Sequence, residues 1–224
     1  MIEMFLNVKG RVFNEQKRTF LGIEFGGLWN SVFKRDGLDT IITKYCTAKN
    51  AGNIKEIDKL FMIPSFSLEK GKATLWTNCH IPNLYRDIDD VTYATDGLLS
   101  DALRASTALP IYLEGVTVQY NQEYSTEIDG GIFANNPIND ALRLLEIHEE
   151  TKEAMENLVL ISIGTYKENI ALNKDRVNNL KHGGVLEYIG KGYIFEVLHT
   201  SNDQLLLHSA NTSVNEYGSK IFRF

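Results

Sequence analysis

The residues of this chain whose types and spacing best fit chemistry are Asp129, Gly130 and Gly131. The aspartate ends a short strand-like run at residues 126–128, and two glycines after it let the backbone turn sharply and leave the carboxylate unobstructed. An Asp-Gly pair alone is a common turn. At the carboxyl end of a sheet strand, however, α/β proteins form their functional sites. An acidic side chain in that place predicts a catalytic base.

A strand, a helix and a second strand are predicted around this segment. The helix starts at Asn136, as its cap, and at Pro137, where a missing N–H does no harm; apolar residues then recur at helical spacing over residues 138–145. Residues 158–163 form a continuous apolar run, as expected of a strand covered on both faces. This order is typical of a parallel crossover unit, so the predicted fold class is α/β.

Further elements must hold the aspartate in place. Residues 60–68 and 73–78 read as two strands of a hairpin, and residues 98–106 read as a helix for which Thr95 is available as the cap. The other predicted elements are short helices at 27–33 and 38–46, a strand at 116–120, a helical pattern at 186–198 and a last strand at 220–224. No repeat, low-complexity stretch or linker divides the chain, so one domain over residues 1–224 is expected.

Composition and charge exclude several classes of function. The net charge of −6 argues against a nucleic-acid partner, because phosphate binding needs a basic surface. No apolar run approaches the roughly 18 residues of a membrane span, and Glu3 lies where a signal peptide would be basic. Cys46 and Cys79 have no metal-ligand spacing and read as reduced thiols. We therefore expect a cytoplasmic protein with no metal and no cofactor.

Three blocks of the sequence resemble the patatin-like phospholipases, and they occur in that family's order. Residues 129–137, DGGIFANNP, resemble the family's DGG motif followed by an NNP helix start. Residues 105–110, ASTALP, resemble its ASxAxP segment. Residues 158–165, LVLISIGT, resemble the strand-to-glycine segment that follows, with Tyr166 in place of the usual final glycine. The resemblance covers approximately residues 20–224.

The resemblance implies a three-layer α/β/α fold with a mostly parallel central sheet. It also implies a Ser–Asp dyad in which Asp129 would deprotonate the serine directly. The family's nucleophile lies in a G-x-S-x-G elbow and its oxyanion hole in a glycine-rich loop with a basic residue, and neither motif occurs in the 224 residues. In the family both precede the DGG aspartate. The resemblance thus implies an N-terminally truncated domain that contains Asp129 but no nucleophile.

The resemblance leaves three functions open. The first is a lipid acyl hydrolase of the phospholipase A type, acting on acyl lipids or phospholipids with peripheral membrane contact, and pairing with itself or with a chain that supplies the missing half. The second is an inactive module that binds lipid or protein, and the third an unrelated α/β binding domain. Other serines are candidates by residue type only, and Ser106 lies in the recognised ASTALP block but lacks elbow glycines. They are Ser31, Ser65, Ser67, Ser106, Ser162 and Ser219.

Overall fold

A computed structural model of the protein describes residues 14–15, 18–20, 23–25, 31–48, 52–82, 90–148, 158–164, 205–212 and 220–223. The chain divides into two compact units, Met1–Gly131 and Ile132–Phe224. The first unit contains Asp129 and both glycines of the DGG motif. The predicted helical pattern at 186–198 lies outside the described residues.

Over its described residues, the first unit is built from short strands and two helices. Its helices are α1 (Asp36–Ala48) and α2 (Leu99–Ser106), with a single 3-10 turn at Ile54–Glu56. Its strands are β1 (Asn14–Glu15), β2 (Arg18–Phe20), β3 (Ile23–Phe25), β4 (Phe33–Lys34), β5 (Met62–Ser67), β6 (Lys72–Thr77), β7 (Val91–Ala94), β8 (Val116–Tyr120) and β9 (Glu123–Asp129). β1 pairs with β4 and β2 with β3, both antiparallel.

The main sheet of this unit has the strand order β7-β6-β5-β9-β8. Only β6 and β7 are parallel; β5–β6, β5–β9 and β8–β9 are antiparallel. The α/β class is confirmed, and the sheet is mixed rather than mostly parallel over the described residues. The reason is local, because short turns join β5 to β6 and β8 to β9, and strands joined by short turns pair antiparallel.

The predicted hairpin at 60–78 is confirmed as β5 and β6. Gly71 in its turn has a φ of +62°, a left-handed conformation that glycine adopts without strain. The turn is also tied to β9, since a carboxylate oxygen of Glu69 accepts the N–H of Thr126 at 2.7 Å. The hairpin is therefore fixed at its turn against the strand that ends in Asp129.

Helix α2 covers one face of the sheet. Its small buried residues Ala102 and Ala105 pack into the core formed by Trp76, Tyr120 and neighbouring apolar side chains. The rings of Trp76 and Tyr120 meet edge to face with centroids 4.9 Å apart. Alanines on the buried stripe allow the helix backbone to lie close to the strands.

The start of α2 differs from the prediction. The cap position is Leu98, with no side-chain cap, and Thr95 instead donates its N–H to the side chain of Asn121 at 3.1 Å. The N–H of Leu99, in the first turn, donates to the backbone carbonyl of Gly52 at 3.1 Å. The backbone carbonyl of Gly52 thus accepts an N–H of the first helical turn, the kind of donor that the predicted cap, Thr95, was expected to satisfy.

Arg35 fixes the other end of α2. This arginine is 8% exposed, and its guanidinium donates to the carbonyls of Arg104 at 2.9 Å and Glu114 at 3.0 Å. It also pairs with the Asp39 carboxylate at 3.0 Å. The planar fork of one side chain thus joins α1, the end of α2 and the loop before β8.

The second unit packs helices against a small sheet. Its elements are α3 (Gly131–Ala134), which begins at the last residue of the first unit, α4 (Ile138–Ile147), β10 (Val159–Ser162), α5 (residues 205–212) and β11 (Lys220–Arg223). β10 and β11 are parallel, which confirms the predicted last strand. Apolar side chains of both strands pack on a core contributed by α4 and α5, namely Ile138, Leu142 and Ala210.

The predicted crossover of β9, α4 and β10 stays a prediction, since among the described residues β10 pairs with β11 and β9 pairs with β5 and β8. Two other predictions for this unit are wrong. Val159 and Ile161 are 58% and 64% exposed, so only one face of β10 is covered. Asn136 is not the cap of α4: the cap position is Pro137, without a side-chain hydrogen bond. Apolar runs do not specify which neighbours cover a strand.

We predict that Arg35→Lys lowers the free energy of unfolding by about 1–3 kcal/mol, because one ammonium cannot serve two carbonyls and a carboxylate together. Urea unfolding followed by circular dichroism measures the change. Lys55→Ala is the control: Lys55 pairs with Asp96 at the surface, and its loss should leave the transition in place. Equal shifts in the two variants would contradict the anchoring role of Arg35.

Candidate functional site

The backbone fixes Asp129 from two sides. It is the last residue of β9 and faces Ser65 of β5 in the strand register. Its N–H donates to the carbonyl of Ala108 at 3.0 Å, and its Oδ1 accepts the N–H of Gly131 at 2.6 Å. The carboxylate is partly buried and turned over the glycine turn that follows it. Its orientation is therefore set before any substrate binds.

Gly130 is a glycine because the backbone of a neighbouring strand leaves no room for a side chain. A Cβ at this position would overlap the carbonyl group of Pro64 on β5. Pro64 has no N–H to offer to β9, and the β5–β9 ladder ends at the pair of Ser65 and Asp129. The first glycine of the motif thus lets the chain leave the sheet in close contact with β5.

The first two blocks of the family resemblance touch each other. Residues 105–110 lie where α2 ends, and their fully buried Ala108 supplies the carbonyl that receives the N–H of Asp129. The hydroxyl of Thr107 donates to the carbonyl of Leu103 at 2.8 Å and closes the end of the helix. The ASTALP segment therefore acts on the aspartate through its backbone rather than through Ser106.

Among the serine candidates named above, those that the structure describes do not match a nucleophile in an elbow. Ser106 is the last residue of α2, whereas an elbow places its serine at the start of a helix. Ser31 is buried and donates to the carbonyl of Phe33 at 3.2 Å. Ser162 ends β10 in the second unit, and Ser219 lies outside the described residues.

Ser65 donates to a carboxylate but is closed off from solvent. Its Oγ donates to Oε2 of Glu127 at 2.7 Å and accepts the indole N–H of Trp76 at 2.9 Å. The side chains of Ser65 and Glu127 are both 0% exposed, and Ser67 is equally buried. A substrate carbonyl cannot reach these hydroxyls, so the pair is not an active dyad in this structure.

The sequence analysis did not predict that Glu127 is buried among hydroxyl groups, although the sequence contains a signal for it. Ser125, Glu127 and Asp129 alternate along β9, and such a polar alternation is typical of a solvent-facing strand surface. In the structure Ser125 and Glu127 face the interior instead. The matching signal is the pair of serines on β5, of which Ser67 lies opposite Glu127 and Ser65 opposite Asp129 in the strand register.

The remaining candidate chemistry of the described residues is sparse. Cys46 and Cys79 are free and buried, and burial raises the pKa of the Cys79 thiol to about 11, which disfavours a nucleophilic thiolate. Within the part of the chain that the structure describes, no three His, Cys, Asp or Glu side chains cluster to hold a metal ion. Of the helices described, none is long and apolar enough to cross a membrane.

The fold and the site together define an α/β protein with an acidic residue at a strand end. A sequence model of the patatin-like phospholipase family matches residues 2–142, more than half of the chain. The chain therefore belongs to the patatin-like phospholipase family, which confirms the resemblance. No curated protein matches the chain.

Family membership supports a function at a coarse level only. The family is one of lipid acyl hydrolases, so membership implies lipids as the class of substrate. The α/β architecture with its mixed sheet agrees with the α/β/α fold of the family. The matched range contains the blocks at 105–110 and 129–137, whereas the block at 158–165 lies beyond it.

We predict that Gly130→Ala destabilises the protein by about 1–3 kcal/mol, because its methyl group has to displace the backbone of Pro64. Thermal and urea unfolding measure the loss. Gly52→Ala is the matched control, since its Cβ would lie 3.6 Å from Oε2 of Glu56, an ordinary contact. Unchanged stability of Gly130→Ala would show that the strand end is more adaptable than its close packing indicates.

Proposed function

We propose that Asp129 is the general base of a Ser–Asp lipid acyl hydrolase of the phospholipase A type. The proposal rests on one observation: within the range that matches the family, a strand-end aspartate is held by Ala108 and Gly131 in a glycine turn. Its substrate is an acyl lipid or phospholipid, reached from the cytoplasm by peripheral contact with a membrane.

The chemistry assigned to Asp129 is proton transfer. The carboxylate takes the proton of a serine hydroxyl as the serine oxygen attacks the ester carbonyl, and returns that proton to the alcohol that leaves. A second cycle with water releases the fatty acid. The hydrogen bond from Gly131 supports this role, because an oriented base spends less free energy on alignment in the transition state.

The serine belongs, in this proposal, to a segment or chain that these 224 residues do not contain. Support comes from the absence of a G-x-S-x-G sequence in them and from the burial or position of the described serines. Self-association or a partner chain would complete the site. The alternative is a catalytically inactive module that binds lipid or protein, and the same absence favours it.

Chemical labelling separates the two. We predict that the purified 224-residue chain neither hydrolyses p-nitrophenyl esters nor reacts with a fluorophosphonate probe, because a base without a nucleophile and oxyanion donors forms no acyl-enzyme. Mass spectrometry of the probe adduct identifies any serine that reacts. Clear turnover by the chain would contradict the proposal, whether Ser106→Ala abolishes it or not.

The same probe tests Asp129 in the protein isolated from its native source with an antibody to the chain. We expect an activated serine there, on the same polypeptide or on one that co-purifies. Recombinant expression of that complete assembly with Asp129→Asn should lower kcat by roughly 10²–10⁴, equivalent to about 3–5 kcal/mol of barrier. No labelled serine in the native material would favour the binding module.

Glu123→Gln is the matched control for this substitution. It makes the same chemical change on the same strand, at an exposed position where Glu123 pairs with Lys70 at 2.9 Å. We expect its kcat to equal that of the unmodified protein. If Asp129→Asn folds and keeps full activity, Asp129 is not the general base and has only a structural role in the turn.

A further inference from the structure

A carboxylate that the proposed mechanism does not use lies two residues before Asp129 on the same strand. Glu127 is 0% exposed, and it occupies the sheet face of Asp129 because side chains alternate along a strand. Burying a carboxylate is unfavourable unless hydrogen bonds replace its water. Its partners must therefore account for its presence in the core.

Hydroxyl groups from four strands surround Glu127. Its Oε2 accepts from Ser65 at 2.7 Å, and its Oε1 accepts from Ser125 at 2.7 Å, Tyr120 at 2.9 Å and, more weakly, Thr74 at 3.4 Å. No lysine or arginine of the described residues pairs with it. A carboxylate accepts several such bonds at once, which no neutral side chain of this size does.

The hydrogen bond from Ser65 lies at the end of the ladder that joins β5 to β9. This ladder contains three residue pairs, and the last of them is Ser65 with Asp129. Ser65 is thus the register partner of Asp129 and a donor to Glu127. The indole of Trp76 donates to the same Oγ at 2.9 Å and holds its orientation. The bond therefore ties the two strands together where the DGG turn departs.

We propose that Glu127 is a positioning residue for the proposed base: through Ser65 it holds the end of β9 and so fixes the carboxylate of Asp129 against the N–H of Gly131. This inference rests on the proposed function, since the orientation of Asp129 matters only if Asp129 is the base. Without the carboxylate, the buried hydroxyls lose their common acceptor and the short ladder loosens at its last pair.

Native-state hydrogen exchange of the 224-residue chain tests this without any catalysis. In Glu127→Gln we expect the amides of Asp129 and Gly131 to exchange roughly tenfold faster relative to the amides of the β6–β7 ladder. The ratio matters, because a merely structural role would accelerate both sets alike. Val118→Ala is the control: Val118 is 3% exposed in the same core, and its truncation leaves every bond to Glu127 in place. Its ratio should stay constant.

Tyr120→Phe keeps the test decisive if Glu127→Gln does not fold. It removes one hydroxyl that donates to Glu127 and keeps the ring against Trp76. We expect a smaller change of the ratio in the same direction. An unchanged ratio, with probe labelling of the complete assembly lost in Asp129→Asn, would overturn the role of Glu127 alone. Labelling of that assembly unaffected by Asp129→Asn would overturn the proposed function and this role with it.

Discussion

The first unit depends on one unusual interaction, the burial of the Glu127 carboxylate among hydroxyls at the middle of its main sheet. The sheet has two halves, β7-β6-β5 and β9-β8, and only the short β5–β9 ladder joins them. The hydroxyls that bind Glu127 come from both halves. Buried polar networks hold a structure firmly when every member is satisfied and fail when one is not. The hydrogen bonds to Glu127 therefore fix how the two halves of the sheet pair, at the ladder that ends in Asp129.

A second network holds the elements that surround the strand end. Arg35 donates to the carbonyl of Arg104 in the last turn of α2 and to that of Glu114 before β8, and Arg104 adds an ion pair with Asp39 at 3.1 Å. Because α2 ends in the segment that carries Ala108, this network sets the position of the carbonyl that receives the N–H of Asp129. The backbone of Asp129 is thus positioned by the Arg35 network through Ala108, and by the buried hydroxyls around Glu127 through the β5–β9 ladder.

Local signals made part of this structure predictable. The turn at Gly71, helix α2 and the last strand follow from glycine, apolar periodicity and strand-like runs, all of which act within a few residues. The family was predictable because a turn motif and a helix motif recur together in its members. Each of these features is encoded by neighbours in sequence.

The features that sequence reasoning missed depend on distant neighbours. The pairing of β5 with β9, the bond from Leu99 to Gly52 and the exposed face of β10 are set by elements far apart in the chain. Glu127 is the clearest case, since alone it reads as a surface residue. Only the pairing of β5 with β9 brings Ser65 next to it and makes its burial favourable.

Ser65 also shows why a serine beside a carboxylate is not enough for catalysis. Its bond to Glu127 has the length expected of a dyad, but both groups are sealed in the core and the serine lies within a strand. Asp129 has the opposite environment: it is partly buried, at a strand end, and followed by glycines. Reactivity requires access as well as a hydrogen bond, and along β9 two residues separate a carboxylate buried among hydroxyls from the partly buried one that we propose as the base.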